Sequence, residues 1–355
     1  MKPSRTATYG LRNGGMRAMQ ACVIVFSALA LSSCGGGTDP NGNVPSGEVV
    51  VYCSVDQDFA KGILADFERR SGLRVRPRYD EEARKTTGLV QRLRAEKAHP
   101  AADVFWSSEV FHTIRLAEEG LLAPYDGEAA AGWPPQFADP NGRWHAFALR
   151  MRVIAYDTRR VSTDEAPKTL EDLLDARWKG RLVMAQPQFG TTRGDVASWF
   201  AHYGPGRARA ILRGLKANGV RIVQGNSTAV RMVARGEADV CFTDTDDVYV
   251  AQRNGWPIAM VPLDQGGDGA LAIPNTAALV AGGPNPQAGG KLLAYLLSEA
   301  VERALAASES HNVPIRPALA DRFPKYALGK ALTVDYAEVA AQMPSAMAAV
   351  QEILR

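Results

Sequence analysis

Cysteine is scarce in this 355-residue chain: Cys22, Cys34, Cys53 and Cys241 are all it has, and no C-x-x-C pair occurs. That spacing supports neither a zinc knuckle nor a dithiol redox motif. Cys53 and Cys241 lie in strand-like apolar runs. A disulfide between them is permitted in an exported protein, but two buried thiols are expected, since nothing makes the two strands neighbours. Histidine is as sparse. His112, His145, His202 and His311 are scattered and His99 sits in a loop, so no Ser/His/Asp or Cys/His set has the spacing of a nucleophilic site. Net charge is only +3, which gives no reason to expect nucleic acid or a bulk anionic surface as partner. Beyond the N-terminus no apolar run is long enough to span a bilayer, and no fixed-period repeat recurs. What is present is 46% hydrophobic content over a length that accommodates two domains.

The N-terminus reads as a targeting segment rather than fold. Lys2, Arg5, Arg12 and Arg17 precede an apolar stretch from Ala18 to Leu31, and Leu31-Ser32-Ser33-Cys34 resembles a bacterial lipobox. That resemblance implies a signal peptide over 1–34, lipidation at Cys34 and a flexible Gly/Pro/Asn/Ser tether over 35–47. An ordinary signal peptide or a single membrane anchor is the alternative.

From Glu48 onward, strand-like and helix-like runs alternate. Glu48–Tyr52 is a β-branched strand; Asp58–Arg70 has helical apolar spacing and a Gly72 stop; Leu73–Tyr79 is the next strand. A helix runs to Lys97, Ala102–Trp106 is a third strand, and a helix through Glu119 follows. The first and third strands run into polar loops, Cys53-Ser54-Val55-Asp56 and Ser107-Ser108-Glu109, that feed helix starts. Such starts suit capture of a ligand by backbone N–H groups. Phe147–Tyr156, with Arg150 and Arg152 on alternate positions, and Gly269–Ala281 read as two chain passages between lobes. Between them lie a short helix at Lys168–Leu174, a strand at Arg181–Ala185, helices near Arg193–Tyr203 and Arg207–Asn218, a strand at Val220–Val223, and a helix ending near Gly236. Gln287–Leu297, Ala300–Ala307 and the Ala-rich Tyr326–Arg355 read as helical, the last as packing rather than site.

The stretch Val240–Tyr249, VCFTDTDDVY, is the centre of the functional reading. An apolar strand ends in Asp244, Asp246 and Asp247, and buried carboxylates need something positive against them. Strand C-ends are also where α/β proteins hold ligands. The plainer reading is an acidic turn capping the next helix.

In order, YCSVDQDFAKGILADFE, LRAEKAHPAADVFWSSEV, EEGLLAPY, WKGRLVMAQPQFGTT, LKANGVRIVQGNSTAVRMVARGEADVCFTDTDD and AIPNTAALVAG resemble the periplasmic substrate-binding proteins of ABC importers, in the ferric-ion-binding branch. The resemblance covers about Glu48 to Leu319. It implies an α/β, type II-like two-lobed fold with a two-strand hinge, lobe 1 being 48–148 with about 270–320 and lobe 2 being 149–269 with about 321–355. By local spacing the family's iron-binding His falls on Asp56, its Glu on Ser108, its paired Tyr on Asp246 and Asp247, and its preceding Asn on Asp244. None of the usual iron ligands is kept, and carboxylates with hydroxyls suit hard cations or amines. A register shift that brings in Tyr249 is not expected. The resemblance also implies an anion at the helix start Gly190-Thr191-Thr192, where plain N-capping is the alternative, and a polar helix start at Asn226 and Ser227. Ser54, Ser107 and Arg150 complete the expected ligand set; Arg152 is the other candidate from its strand.

The implied function is a lipid-anchored, exported periplasmic receptor that delivers a small ligand to the permease subunits of an ABC importer, as a monomer. No cofactor is expected, and the membrane is met through Cys34 alone. Carboxylates on one side and an anion cradle on the other suggest a zwitterion such as an aminophosphonate, or another small anion. Iron with a bound anion and a thiamine-type cation are alternatives. D-x-D-D could instead mark a metal-dependent hydrolase, although it lacks the glycine and distal Glu of a calcium loop. A purely structural lipoprotein fits the polar strand-end loops poorly.

Overall fold

The computed structural model describes residues 47–80, 86–327 and 329–355. The targeting segment, the lipobox with Cys34 and nearly all of the tether therefore lie outside the described residues. In chain order the strands are β1 (Glu48–Cys53), β2 (Arg74–Tyr79), β3 (Val104–Ser107), β4 (Leu122–Ala123), β5 (His145–Asp157), β6 (Leu182–Ala185), β7 (Arg221–Val223), β8 (Val240–Asp244), β9 (Ile258–Pro262) and β10 (Ala272–Val280). The helices are α1 (Gln57–Ser71), α2 (Thr87–Ala95), α3 (Phe111–Glu118), α4 (Gly190–Ala217), α5 (Asn226–Ala234), α6 (Thr245–Arg253), α7 (Pro286–Leu296), α8 (Glu299–Ala307), α9 (Pro317–Ala320) and α10 (Tyr336–Ile353).

In the first lobe β1 pairs in parallel with β2 and β3, and β3 pairs antiparallel with β10. In the second, β6 pairs in parallel with β7 and β8. The strand that joins them is β5. All thirteen of its residues are buried. From His145 to Met151 it pairs with β10, and from Arg152 onward with β8 and β9. The chain returns beside it: the Arg152 N–H donates to the Leu271 carbonyl at 2.9 Å, one residue before β10 begins. These adjacent passages are the two-strand hinge of a two-lobed α/β fold.

Helix α1 buries Ala60, Ile63, Leu64 and Phe67 on one face and stops at Gly72, whose φ of 71° suits glycine. The long α4 is two helical halves about Gly204 (φ 77°, ψ 162°), with Pro205 next. Helix α10 packs on α4 and on α3. Its Val339, Met343 and Val350 share a core with Phe111 of α3 and Leu212 of α4.

Four sequence expectations change. Helix α4 begins at Gly190, three residues before the expected Arg193. The Lys168–Leu174 helix contracts to a single 3₁₀ turn, Asp172–Leu174. The C-terminal helix begins at Tyr336 rather than Tyr326, started by the Asp335 side chain accepting the Ala337 N–H. Strand β9, only partly buried and bounded by Pro257 and Pro262, was not anticipated. Cys53 and Cys241 lie buried in β1 and β8 and form no disulfide, as expected.

Candidate functional site

Three strands of the second lobe, β6, β7 and β8, each run into a helix, α4, α5 and α6, at one common place. The residues preceding these helices, Phe189, Gly225 and Asp244, make no side-chain cap to their own helix. The first-turn N–H groups and positive ends of three helices are thus gathered around one cleft. Gly190, Thr191, Thr192, Gly225 and Asn226 line it on that side. Arg150, Asp56, Ser108, Asp244, Asp246 and Asp247 also line it. Its inner volume is about 40 Å³, room for a few ordered waters.

Asp244, at the end of β8, is the hub. Its Oδ1 accepts from Arg152 Nη1 at 2.7 Å, and its Oδ2 accepts from the Thr191 hydroxyl at 2.7 Å and from Asn226 Nδ2 at 3.0 Å. Arg150 Nε lies 3.2 Å from the same Oδ2. Burial works to raise the Asp244 pKa, but Arg152 and Arg150, helped by the Thr191 hydroxyl, outweigh it and hold the carboxyl below its ordinary range. Arg152 is wholly buried and also donates from Nε to Asp195 Oδ2 at 3.0 Å. Burial alone would lower the Arg152 pKa, yet Asp244 and Asp195 push it above its ordinary value. Asp195 itself is raised, because burial and the charge of Asp244 outweigh its share of Arg152.

Arg150 stands closer to the cleft. It donates from Nη2 to the Ser108 carbonyl at 2.8 Å, and its Nη1 lies 3.5 Å from Asp246 Oδ2. Burial opposes its charge, but Asp246, Asp244, Asp247 and Asp56 together raise its pKa. Asp247 accepts from the Thr243 hydroxyl at 2.8 Å, and both Asp246 and Asp247 occupy the first turn of α6. The acidic turn is therefore partly a favourable helix start and partly a counter-charge to two strand arginines.

The remaining expected residues divide. Ser54, Ser108 and Thr86 form a buried hydroxyl triangle, with contacts of 3.2–3.3 Å, that fastens the loop after β1 to the loop after β3. Ser108 reaches the cleft; Ser54 stands behind it. Ser107 is turned inward, its hydroxyl donating to the Glu109 carbonyl at 2.7 Å. Thr191 uses its hydroxyl on Asp244, and Thr192 donates to Asn226 Oδ1 at 3.3 Å. What these two residues offer a ligand is their position at the α4 start rather than their hydroxyls. Ser227 lines a neighbouring cavity, shared by Asp56, Asp246 and Asp247. Tyr249 packs against His311 and Tyr326, with ring centroids 5.1 Å away in each case, and does not line the cleft. Asp244, Asp246 and Asp247 can bring oxygen atoms within 4.8 Å of one another, the one donor set near the cleft that could hold a metal ion among the described residues.

Sequence reasoning missed Gln186, Phe189 and Gln224 as lining residues and Asp195 as a partner of Arg152. A signal for the last was present: Asp195 lies four residues after Thr191, hence on the same helix face. The i, i+2 spacing of Arg150 and Arg152 likewise puts both on one side of β5.

Residues 99–339 match the family model described as bacterial extracellular solute-binding protein. Iron uptake protein A1 of Synechocystis sp. is 27% identical over 308 residues, spanning 83% of this chain and 84% of that relative. A Salmonella typhi periplasmic protein named for binding 2-aminoethylphosphonate is 30% identical over 236 residues, spanning 64% of this chain and 66% of its own length. The crystal structure of iron-bound HitA from Pseudomonas aeruginosa superposes with a TM-score of 0.78 at 27% identity, covering 86% of this chain and 99% of that one.

Proposed function

Because this chain belongs to the bacterial extracellular solute-binding proteins, in the ferric-binding branch, we propose that it captures a small solute carrying both an oxyanion and an ammonium group, for delivery to an ABC importer. The observation that carries this reading is the composition of one cleft. Three helix starts converge there, and beside them stand Arg150 and the carboxylates of Asp56, Asp246 and Asp247. An oxyanion is satisfied by orphan N–H groups and the positive helix ends. An ammonium group is satisfied by carboxylates, and Asp56, Asp246 and Asp247 line the cleft. A relative named for 2-aminoethylphosphonate, a molecule with both groups, is consistent with this division.

The second reading is a hard metal ion with a bound anion. It is favoured by the carboxylate oxygens that can come within 4.8 Å of one another and by relatives named for iron. Against it stands Asp244, whose two oxygens are already engaged by Arg152, Thr191 and Asn226. Titration of ligand-stripped protein separates the two. The zwitterion reading expects a thermal upshift with 2-aminoethylphosphonate and none with ferric citrate; the reverse pattern would favour the metal. A ligand binding only the folded form adds about 2.7 kcal/mol of stability at a hundredfold excess over Kd. Turnover of the bound compound would overturn the receptor reading altogether.

The same proposal includes a lipid anchor at Cys34, resting on Leu31-Ser32-Ser33-Cys34 and the glycine tether behind it. Labelled palmitate should be incorporated in cells expressing the chain and lost in Cys34→Ser; labelling that persists in the variant would remove the anchor from this position.

A further inference from the structure

The start of α4 is held from two sides. On the second-lobe side Thr191 is bonded to Asp244, and Thr192 to Asn226. On the other side it meets α3, which follows the first-lobe strand β3. Gly194 lies so close to Phe111 that a Cβ there would collide with the ring. Beside this contact runs a row of three side chains that the cleft does not use. Glu109 is wholly buried in the loop after β3. Its Oε2 accepts the N–H groups of Phe111 at 2.7 Å and His112 at 3.2 Å, which starts α3. Its Oε1 lies 2.9 Å from Nδ1 of the buried His112. On the far side of the ring, His112 Nε2 lies 3.3 Å from Nη1 of Arg193, in the first turn of α4. Among the described residues this is the one side-chain hydrogen bond of Arg193; its buried Nε has no partner.

A guanidinium can only donate. Nε2 therefore accepts, and the His112 proton sits on Nδ1 and is donated to Glu109. We infer that Glu109, His112 and Arg193 form a relay that positions the α4 start from the first lobe and holds only while His112 is neutral, so that acid loosens the oxyanion end of the cleft. This rests on the reading of the α4 start as an oxyanion site. The direction follows from linkage. With Arg193 in place the imidazole has no nitrogen open to a second proton. With Arg193 displaced, Nε2 is open and Glu109 favours the charged ring. The released arrangement binds more protons, so falling pH drives the relay toward it. The groups around the ring agree with this sign. Burial holds the Arg193 pKa below its ordinary value, with Glu109 opposing and Arg94 of α2 and Arg115 of α3 adding to the effect. A further positive charge on His112 is unwelcome there. Helix α10 brings Tyr336 against the neighbouring Phe111, and burial keeps that phenol uncharged. Strand β10 brings the uncharged Thr276, bonded to Thr113.

Calorimetry of ligand-stripped protein with inorganic phosphate at about pH 8 and about pH 5, the span over which imidazoles titrate, tests this. Phosphate and the cleft carboxylates change charge as well, so the ratio of affinities at the two pH values is compared between proteins. His112→Gln keeps an acceptor for Arg193 and removes the titration; Arg193→Met removes the donor. Wild type should lose about tenfold more affinity toward acid than either variant, on the scale of one net hydrogen bond. Unaltered circular dichroism spectra confirm the fold of the variants. A second readout does not depend on phosphate. Nitrogen NMR of isotope-labelled histidine at about pH 8 should show His112, identified by its loss in His112→Gln, as the Nδ1–H tautomer. Equal ratios in all three proteins, with phosphate bound, would overturn the relay and leave the oxyanion site standing. An Nε2–H tautomer would overturn the relay whatever phosphate does. Phosphate that binds none of the proteins would overturn the oxyanion reading of the α4 start and the positioning role with it.

Discussion

Arg152 has no exposed surface, yet two carboxylates reach it, and this fixes the pH behaviour of the protein. Asp244 is held below the ordinary carboxylate range, so the folded state keeps it ionised where an unfolded aspartate would take up a proton. Its contribution is full above the unfolded value of about 4 and drains away as pH falls through the lower folded value. Asp195 is raised and has the opposite sign: its contribution is full at low pH and is lost as pH rises through its folded value. Urea unfolding of wild type between neutral and acid pH should therefore show an acid limb that belongs to Asp244. Asp244→Asn should flatten that limb. It should also cost about 3–5 kcal/mol at neutral pH, since it leaves buried Arg152 short of counter-charge. Parallel acid limbs in wild type and variant would place the titration elsewhere. Asp195→Asn can still accept from Arg152 and should cost distinctly less.

At the scale of elements, the site depends on where α4 begins. Gly190 has a φ of 53°, and a Cβ built there would meet nothing within 4 Å. Gly190→Ala therefore tests backbone conformation alone: about 1–2 kcal/mol of left-handed strain with no steric clash. The strain falls on the turn whose N–H groups face the cleft, so phosphate affinity in calorimetry should drop. An unchanged phosphate affinity in a destabilised variant would remove the α4 start from the oxyanion site. The sequence made the order of elements readable because the signals are local. Apolar spacing with Gly72 gives α1, the β-branched run Glu48–Tyr52 gives β1, and the long run Phe147–Tyr156 gives most of β5. The break inside α4 at Gly204 falls in the gap between the two helices expected at Arg193–Tyr203 and Arg207–Asn218. The start of α4 at Gly190 was less legible because a glycine at positive φ reads as turn rather than as the first helical residue. The C-terminal helix was placed ten residues early because alanine content has no sharp edge, whereas the Asp335 cap does. Strand β9 ends in one proline, follows another and has little burial, so neither pattern nor propensity marks it.

For the whole molecule, the carboxylates at the end of β8 were legible as a place needing positive charge, and Arg150 and Arg152 as residues of a crossing strand. That the two meet depends on the antiparallel pairing of β5 with β8, which sets Arg152 opposite Asp244. No local pattern encodes that register. The same pairing places the site at the passage between lobes, where closure would desolvate whatever ligand is bound. Helix α10, packed on both α3 and α4, shares a core with residues of both lobes.

The most direct test is calorimetry of ligand-stripped wild type and Asp246→Asn with 2-aminoethylphosphonate, alongside ethylphosphonate. Asp246 is buried in the first turn of α6 and faces the cleft beside Arg150. Replacing its charge while keeping its shape should cost the zwitterion about 2–5 kcal/mol, because the ammonium loses one of its carboxylate partners on closure. That is roughly 30-fold to several thousandfold in affinity. Ethylphosphonate, which lacks the ammonium, should bind wild type more weakly than the zwitterion and should not weaken further in the variant. Equal affinity of the zwitterion for both proteins, with only the melting temperature lowered, would contradict the assignment and return Asp246 to the role of a helix-start residue.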